Sequence, residues 1–188
     1  MDTGQLHHAL ETLGALLEYR GEHYDIVLIG GGALLLLGLI ERPTQDLDIV
    51  SRVEGERWVE GEPLPDGLAK AIAEVATTLA LAPDWLNPGP SFLNEHGLPS
   101  GFSDRVLIRR YQGLTIRLAA RVDQITFKLL AAVNEGPRSK HFRDLQRLAP
   151  SQEELLIGAR WCQNHNTWPR FHDTLQQTLA AFGCDDVS

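Results

Sequence analysis

The sequence shows little that would be expected to take it to a membrane. Met1 to Arg20 has no basic start followed by an apolar middle and carries Asp2, Glu11 and Glu18 instead, so no secretory signal is expected. The apolar run Ile26 to Ile40 is too short to span a bilayer and is broken by glycines. Cysteine is scarce: Cys162 and Cys184 are the only two in 188 residues, too few for a disulfide scaffold. They read as reduced structural thiols in a cytoplasmic protein. The seven histidines show no HExxH or other metal-ligand spacing, and His7, His8, His165 and His172 read as helix or loop residues. No tandem repeat or low-complexity tract is present. Positive charge is in deficit, giving a net charge of −8, which disfavours broad, nonspecific coating of nucleic acid but leaves room for a local basic groove.

With 43% hydrophobic and 22% charged residues, the chain has the composition of an ordinary globular protein large enough for one core plus a helical appendage. It is organised around Asp25 to Ser51. Ile26 to Ile29 is a β-branched apolar run suited to a buried strand. Gly30, Gly31 and Gly32 follow, where a turn can approach a ligand closely because no Cβ stands in the way. Leu34 to Ile40 reads as a short buried helix whose free amides open beside the glycines, a setting that suits phosphate. A loop at Glu41 to Thr44, set by Pro43, leads to a strand over Asp46 to Val50. Residues two apart on a strand share a face, so Asp46 and Asp48 project together while Leu47 and Ile49 turn inward. Two such carboxylates suit a hard divalent cation such as Mg²⁺, which takes carboxylates together with substrate phosphates. The competing reading makes them solvated strand residues and the glycines mere turn formers.

Gly31-Gly32, thirteen intervening residues, and Asp46-Leu47-Asp48 between apolar neighbours resemble the signature of the polymerase-β-type nucleotidyltransferase superfamily. Gly-Gly-Ala followed by Arg42-Pro43-Thr44-Gln45-Asp46-Leu47-Asp48 is similar to the bacterial AbiEii-like toxin group and its uncharacterised relatives. Lys128-Leu129-Leu130-Ala131-Ala132 and Lys140-His141-Phe142-Arg143-Asp144-Leu145 resemble the downstream lysine and aspartate of that group, so the likeness runs from Ile26 to Trp161. It implies an α/β (α+β) fold with a mixed sheet flanked by helices, a nucleotidyltransferase core over residues 1–122 and a helical subdomain over 123–188 packed on it. It further implies Mg²⁺, or Mn²⁺ in its place, on Asp46 and Asp48, and nucleotide contacts from Gly31, Gly32, Thr44 and Lys128. Asp46, Asp48, Lys128 and Asp144 are then the catalytic set. The implied partners are an NTP, an acceptor that is RNA (a tRNA end among the options), protein or small molecule, and an antitoxin protein if the chain belongs to a toxin–antitoxin pair. One departure stands out, since the superfamily usually carries a third carboxylate on a later strand and Leu114 to Leu118 has Arg117 and no acid.

Elsewhere, leucines at helical spacing predict an amphipathic helix over residues 3–20. Arg52 to Pro65 reads as a surface connection, and Leu68 to Leu81 as a second helix. Pro83 to Phe102 reads as an irregular loop, in which Asp84 to Asn87 either lines a pocket or plugs the core with Trp85 and Leu86. Arg105 to Tyr111 and Leu114 to Leu118 form a hairpin across Gln112-Gly113. Its arginines, with Arg121, are either a sheet edge guarded by charge or a patch for triphosphate or nucleic acid. Asp123 is the expected N-cap of a helix over Gln124 to Val133 that exposes Lys128. Helices over Ser139 to Leu148, Gln152 to Cys162 with a Ser151/Glu154 capping box, and Pro169 to Phe182 complete the chain. Three function classes follow: an Mg²⁺-dependent nucleotidyltransferase, a nucleotide-binding module without chemistry, and an interaction protein.

Overall fold

The structure is a computed structural model describing residues 1–94 and 97–184; Glu95 and His96 of the Phe92–Phe102 segment, and the last four residues, lie outside the described residues. The chain divides into two compact units, Met1–Ala119 and Ala120–Ser188. It is a mixed α/β fold with C-terminal helices.

The first unit holds α1 (Thr3–Tyr19), β1 (Tyr24–Ile29), α2 (Gly30–Leu36), β2 (Leu47–Glu54), β3 (Arg57–Glu60), α3 (Asp66–Thr78), β4 (Leu86–Asn87), a 3-10 turn (Gly89–Asn94), α4 (Phe102–Arg105), β5 (Leu107–Tyr111) and β6 (Leu114–Leu118). The strands form one sheet in the order β3-β2-β1-β6-β5. β1 runs antiparallel to β2 and parallel to β6. The outer edge of β2 is shared, with β3 on Ser51 to Glu54 and β4 on Leu47 and Asp48. Leu6, Leu10, Leu13 and Leu17 of α1 are fully buried, as the helical spacing predicts, and pack against β5, β6 and α3. An Asp2–Gln5 capping box starts the helix.

Several boundaries differ from the sequence expectation. The three glycines do not precede a helix at Leu34 to Ile40; they are its first turn, because close packing against the chain before β2 outweighs their poor helix propensity. The segment Arg52 to Pro65 is no surface connection. β2 runs on to Glu54 and pairs with β3, whose charged residues hide its strand character at the sheet edge. The proline-rich stretch is not irregular throughout either, since Leu86 and Asn87 add a short parallel strand and Gly89–Asn94 and α4 are helical turns. Trp85 is fully buried and its indole Nε1 donates to the Ile72 carbonyl at 3.2 Å, which is the core-plug alternative.

The second unit packs α6 (Lys140–Leu148), α7 (Gln152–His165) and α8 (Pro169–Ala180) around α5 (Arg121–Glu135). α5 begins three residues earlier than expected, with Ala120 at its N-cap, and Asp123 is a buried first-turn residue and not the cap. Gly158 brings α7 close to α5, since a Cβ there would lie 3.3 Å from the Thr126 Cα. Ser151 and Glu154 form the expected capping box, and Pro169 opens α8. Cys162 and Cys184 are free and buried, and burial pushes the Cys162 thiol far up.

Candidate functional site

In the first unit the glycines and carboxylates meet at the C-terminal end of β1. Gly30 has φ of +80°, a conformation L side chains rarely adopt, and a Cβ there would lie 2.2 Å from Oδ2 of Asp48. Asp48 faces Ile29 across the antiparallel β1–β2 pair and Asn87 across the β2–β4 pair. A Cβ at Gly31 would lie 3.2 Å from Nη2 of Arg42 and 3.3 Å from Oγ1 of Thr44. At Gly32 it would lie 2.4 Å from a Leu47 methyl and 2.7 Å from the Asp46 carbonyl. So Gly31, Gly32, Thr44, Asp46 and Asp48, together with Gly30 and Arg42, converge on one place.

Thr44 is buried and its hydroxyl donates to the Asp46 carbonyl at 3.1 Å, with Oδ1 of Asp46 at 3.5 Å. Its amide donates to the Met1 carbonyl at 3.0 Å, so the loop before β2 is fixed on both sides. The strand opens at Leu47, which leaves Asp46 just outside it. Asp46 and Asp48 are both half-buried while Leu47 between them is fully buried. Register slips between Val27 and Leu28, whose partners are Ser51 and Ile49, so Val50 is an extra residue two positions beyond Asp48. Such a bulge bends the strand and re-aims side chains beside it. Sequence reading missed both the bulge and Arg42, although an arginine in a short loop between glycines and paired carboxylates was a signal.

The carboxylate that the superfamily resemblance leads one to expect on a later strand has no counterpart on β6, which is Leu-Thr-Ile-Arg-Leu. Its Arg117 forms a two-pronged pair with Asp25 of β1, Nη2 to Oδ2 at 2.7 Å, and lies over the Trp58 ring. Arg121 binds Glu154 at 2.8 Å and the Leu148 carbonyl. Two arginines of the supposed basic patch are therefore committed to internal carboxylates. Arg109 and Arg110 remain on β5, an edge strand.

Lys128 and Asp144 meet each other in the second unit. Lys128 is not exposed, as the sequence led one to expect: its ammonium is 2.9 Å from Oδ2 of Asp144, with side chains 4% and 0% exposed. α5 is buried around most of its circumference, so a lysine there needs a buried counter-charge, and α6 supplies it. His141, one turn before Asp144, joins the pair, with Nδ1 3.4 Å from the Lys128 ammonium and Nε2 3.1 Å from Oε1 of Glu135. An ammonium can only donate, so Nδ1 accepts, and Nε2–H donates to Glu135. Burial, followed by the Lys128 charge, lowers the His141 pKa and keeps this neutral form.

Among the described residues no cluster of three or more His, Cys, Asp or Glu is placed to hold a metal. No family model matches the chain, and no curated protein and no solved structure matches it. What the fold and the site define is thus a class by architecture: a mixed α/β protein with two carboxylates and an arginine set against a glycine-rich helix start. No helix among the described residues is long and apolar enough to cross a membrane.

Proposed function

We propose that the first unit is the core of an Mg²⁺-dependent nucleotidyltransferase that moves a nucleoside monophosphate from an NTP to an acceptor hydroxyl. The observation that carries this reading is the approach of Asp48 to Gly30, where any side chain would strike the carboxylate. Three successive glycines let the start of α2 pack against the Asp48 carboxylate, the Arg42 guanidinium with the Thr44 hydroxyl, and the Asp46 main chain. The donor set fits the metal, because Mg²⁺ takes one or two carboxylates and leaves its other positions to phosphate and water. Asp46 and Asp48 would hold it, and it would supply neutralising charge to the phosphates.

The rest falls to the chain. The glycine backbone admits the phosphates, Arg42 offsets their charge, and the buried Thr44 hydroxyl fixes the Asp46 peptide. In transfer, the acceptor oxygen bonds to the α-phosphorus as the bond to the β-phosphate breaks. Pyrophosphate leaves, and the hydroxyl proton passes to water because β6 carries no carboxylate to take it. That same gap favours a second reading, a module that binds NTP without turning it over. Labelling with each α-phosphate-labelled NTP, magnesium and a cell extract separates them. Magnesium-dependent label transfer that Asp48→Asn reduces to about a hundredth or less supports the enzyme. Full transfer by a folded Asp48→Asn protein refutes the assignment, and NTP binding without transfer selects the module.

A further inference from the structure

A separate cavity of about 460 Å³ lies within the second unit, between the end of α5, the α7–α8 connection and the first turns of α8. That is within the range of small-ligand pockets. Its most unusual wall is Trp168, 76% exposed in a chain that buries Trp85 completely. The indole is exposed, yet its backbone is fixed: the Trp168 amide donates to Oδ1 of Asn166 at 3.1 Å, and the Trp168 carbonyl accepts from the amides of Phe171 and His172. His172 in turn contacts the Asn166 carbonyl at 2.8 Å, and Pro169 sets the next residue. A large flat ring is therefore presented to solvent with little backbone freedom left to lose on binding.

The other walls are mixed: Glu135 lines the cavity with its carboxylate 3.1 Å from His141, and the remaining groups suit a ligand. Phe171 is a buried apolar surface, and Asn134, Asn166 and Thr174 line the cavity with amides and a hydroxyl. Arg170 also lines it, is exposed, and enters none of the ion pairs among the described residues of this unit, which join Arg121 to Glu154, Lys128 to Asp144 and His141 to Glu135. An exposed π face, amides that read hydrogen-bonding edges and an uncommitted guanidinium together fit a planar heterocycle that carries an anionic group. We propose that this cavity binds a nucleobase with its phosphate, the ring stacked on Trp168 and the phosphate on Arg170. The same chemistry comes from a free mononucleotide or from one residue of single-stranded RNA. It uses no residue of the glycine–carboxylate site and stands whether or not that site transfers nucleotides.

The test is binding to the full chain, followed by indole fluorescence and calorimetry, with AMP, a ten-residue oligoadenylate and ribose 5-phosphate as the ring-less control. AMP or the oligomer binds, and ribose 5-phosphate binds at least about tenfold more weakly, since stacking on an aromatic side chain contributes on that order. Trp168→Ala weakens binding by about tenfold or more while Trp168→Phe retains most of it. The substitution leaves the start of α8 intact, because Trp168 makes no side-chain cap bond, and circular dichroism checks this. Arg170→Ala weakens binding and flattens its salt dependence. Binding by AMP alone identifies free nucleotide as the source, and binding by the oligomer alone identifies the single strand. No binding of either, or equal binding by Trp168→Ala, overturns the proposal. So does loss of the binding in Asp48→Asn, which would assign it to the other site.

Discussion

At the scale of single residues, the buried Lys128–Asp144 pair changes how a lysine variant must be read. Removing one member leaves the other charge uncompensated, so Lys128→Ala is expected to cost about 3–5 kcal/mol of stability, measured by urea unfolding. A fall in turnover in that variant would then say little about catalysis. Lys128→Met combined with Asp144→Leu removes both charges and should recover most of the loss. If the double variant is no more stable than Lys128→Ala, the pair does not hold α5 to α6 as drawn. If it is stable but has lost transfer, the Lys128–Asp144 pair acts in the reaction as the family resemblance implies. His141 adds a pH dependence whose sign follows from its neighbours: Lys128 and Glu135 on α5, Lys140 and Asp144 on α6. Its pKa is lowered from the ordinary 6.5 in the folded state, chiefly by burial and then by Lys128. Between the two values the unfolded chain holds a proton that the folded one refuses. Stability should therefore fall as pH drops below 6.5 and level off under the folded value, by up to about 1.4 kcal/mol per pH unit. Urea midpoints between neutral pH and pH about 5 should show this slope in the parent and lose it in His141→Gln; an unchanged slope in that variant would place the titration elsewhere.

At the scale of elements, α2 separates two uses of glycine within one turn. Gly32→Ala would drive a methyl to 2.7 Å from the Asp46 carbonyl, a backbone atom that cannot move aside, and is expected to destabilise by about 1–3 kcal/mol. Gly31→Ala meets only the side chains of Arg42 and Thr44 at 3.2 and 3.3 Å, and should melt within about 1 kcal/mol of the parent because alanine favours the helix. It crowds Arg42 and Thr44, however, so NTP affinity should drop in a protein that remains folded. Thermal melts with NTP titrations check both, and unchanged affinity in Gly31→Ala would make the glycines purely structural. The same helix shows where sequence reasoning stops. α1, α6, α7 and α8 were legible from apolar periodicity and from start signals such as the Ser151/Glu154 capping box and Pro169, although Ser139 is the cap of α6 and not its first residue. α2 was misplaced because its glycines have poor intrinsic helix propensity and only their packing against Asp46 to Asp48 makes them helical. β3 was invisible because Arg57 and Glu60 lie exposed at an edge, and β4 because two residues carry no period. In the candidate site, Asp46 and Asp48 were legible from their spacing together with the glycines before them, and Arg42 could have been read from its loop between the two, whereas the bulge at Val50 depends on register that no local pattern encodes.

At the scale of the whole molecule, a net charge of −8 must be reconciled with any affinity for nucleic acid. Affinity for duplex DNA comes mainly from counterions released when lysines and arginines neutralise phosphates. Here the arginines best placed by sequence to do so are already engaged, Arg117 with Asp25 and Arg121 with Glu154. Other cations are exposed, among them Arg57, Lys70, Arg110, Arg138, Lys140, Arg143, Arg147, Arg160 and Arg170, but they are set in a chain whose acidic residues outnumber its basic ones. The salt dependence of binding in the Trp168 cavity should correspond to about one phosphate, the one set against Arg170, and not the six to ten of a dedicated DNA-binding protein. Random-sequence duplex DNA should show no mobility shift at micromolar protein and physiological salt, because a net charge of −8 repels the phosphates. Binding through a stacked base is exempt, because a ring on an indole draws on surface and polarizability more than on net charge. Retention of the duplex at that salt would mean that the acidic balance conceals a basic face, for which the β5 edge and Lys140, Arg143 and Arg147 of α6 are the candidates.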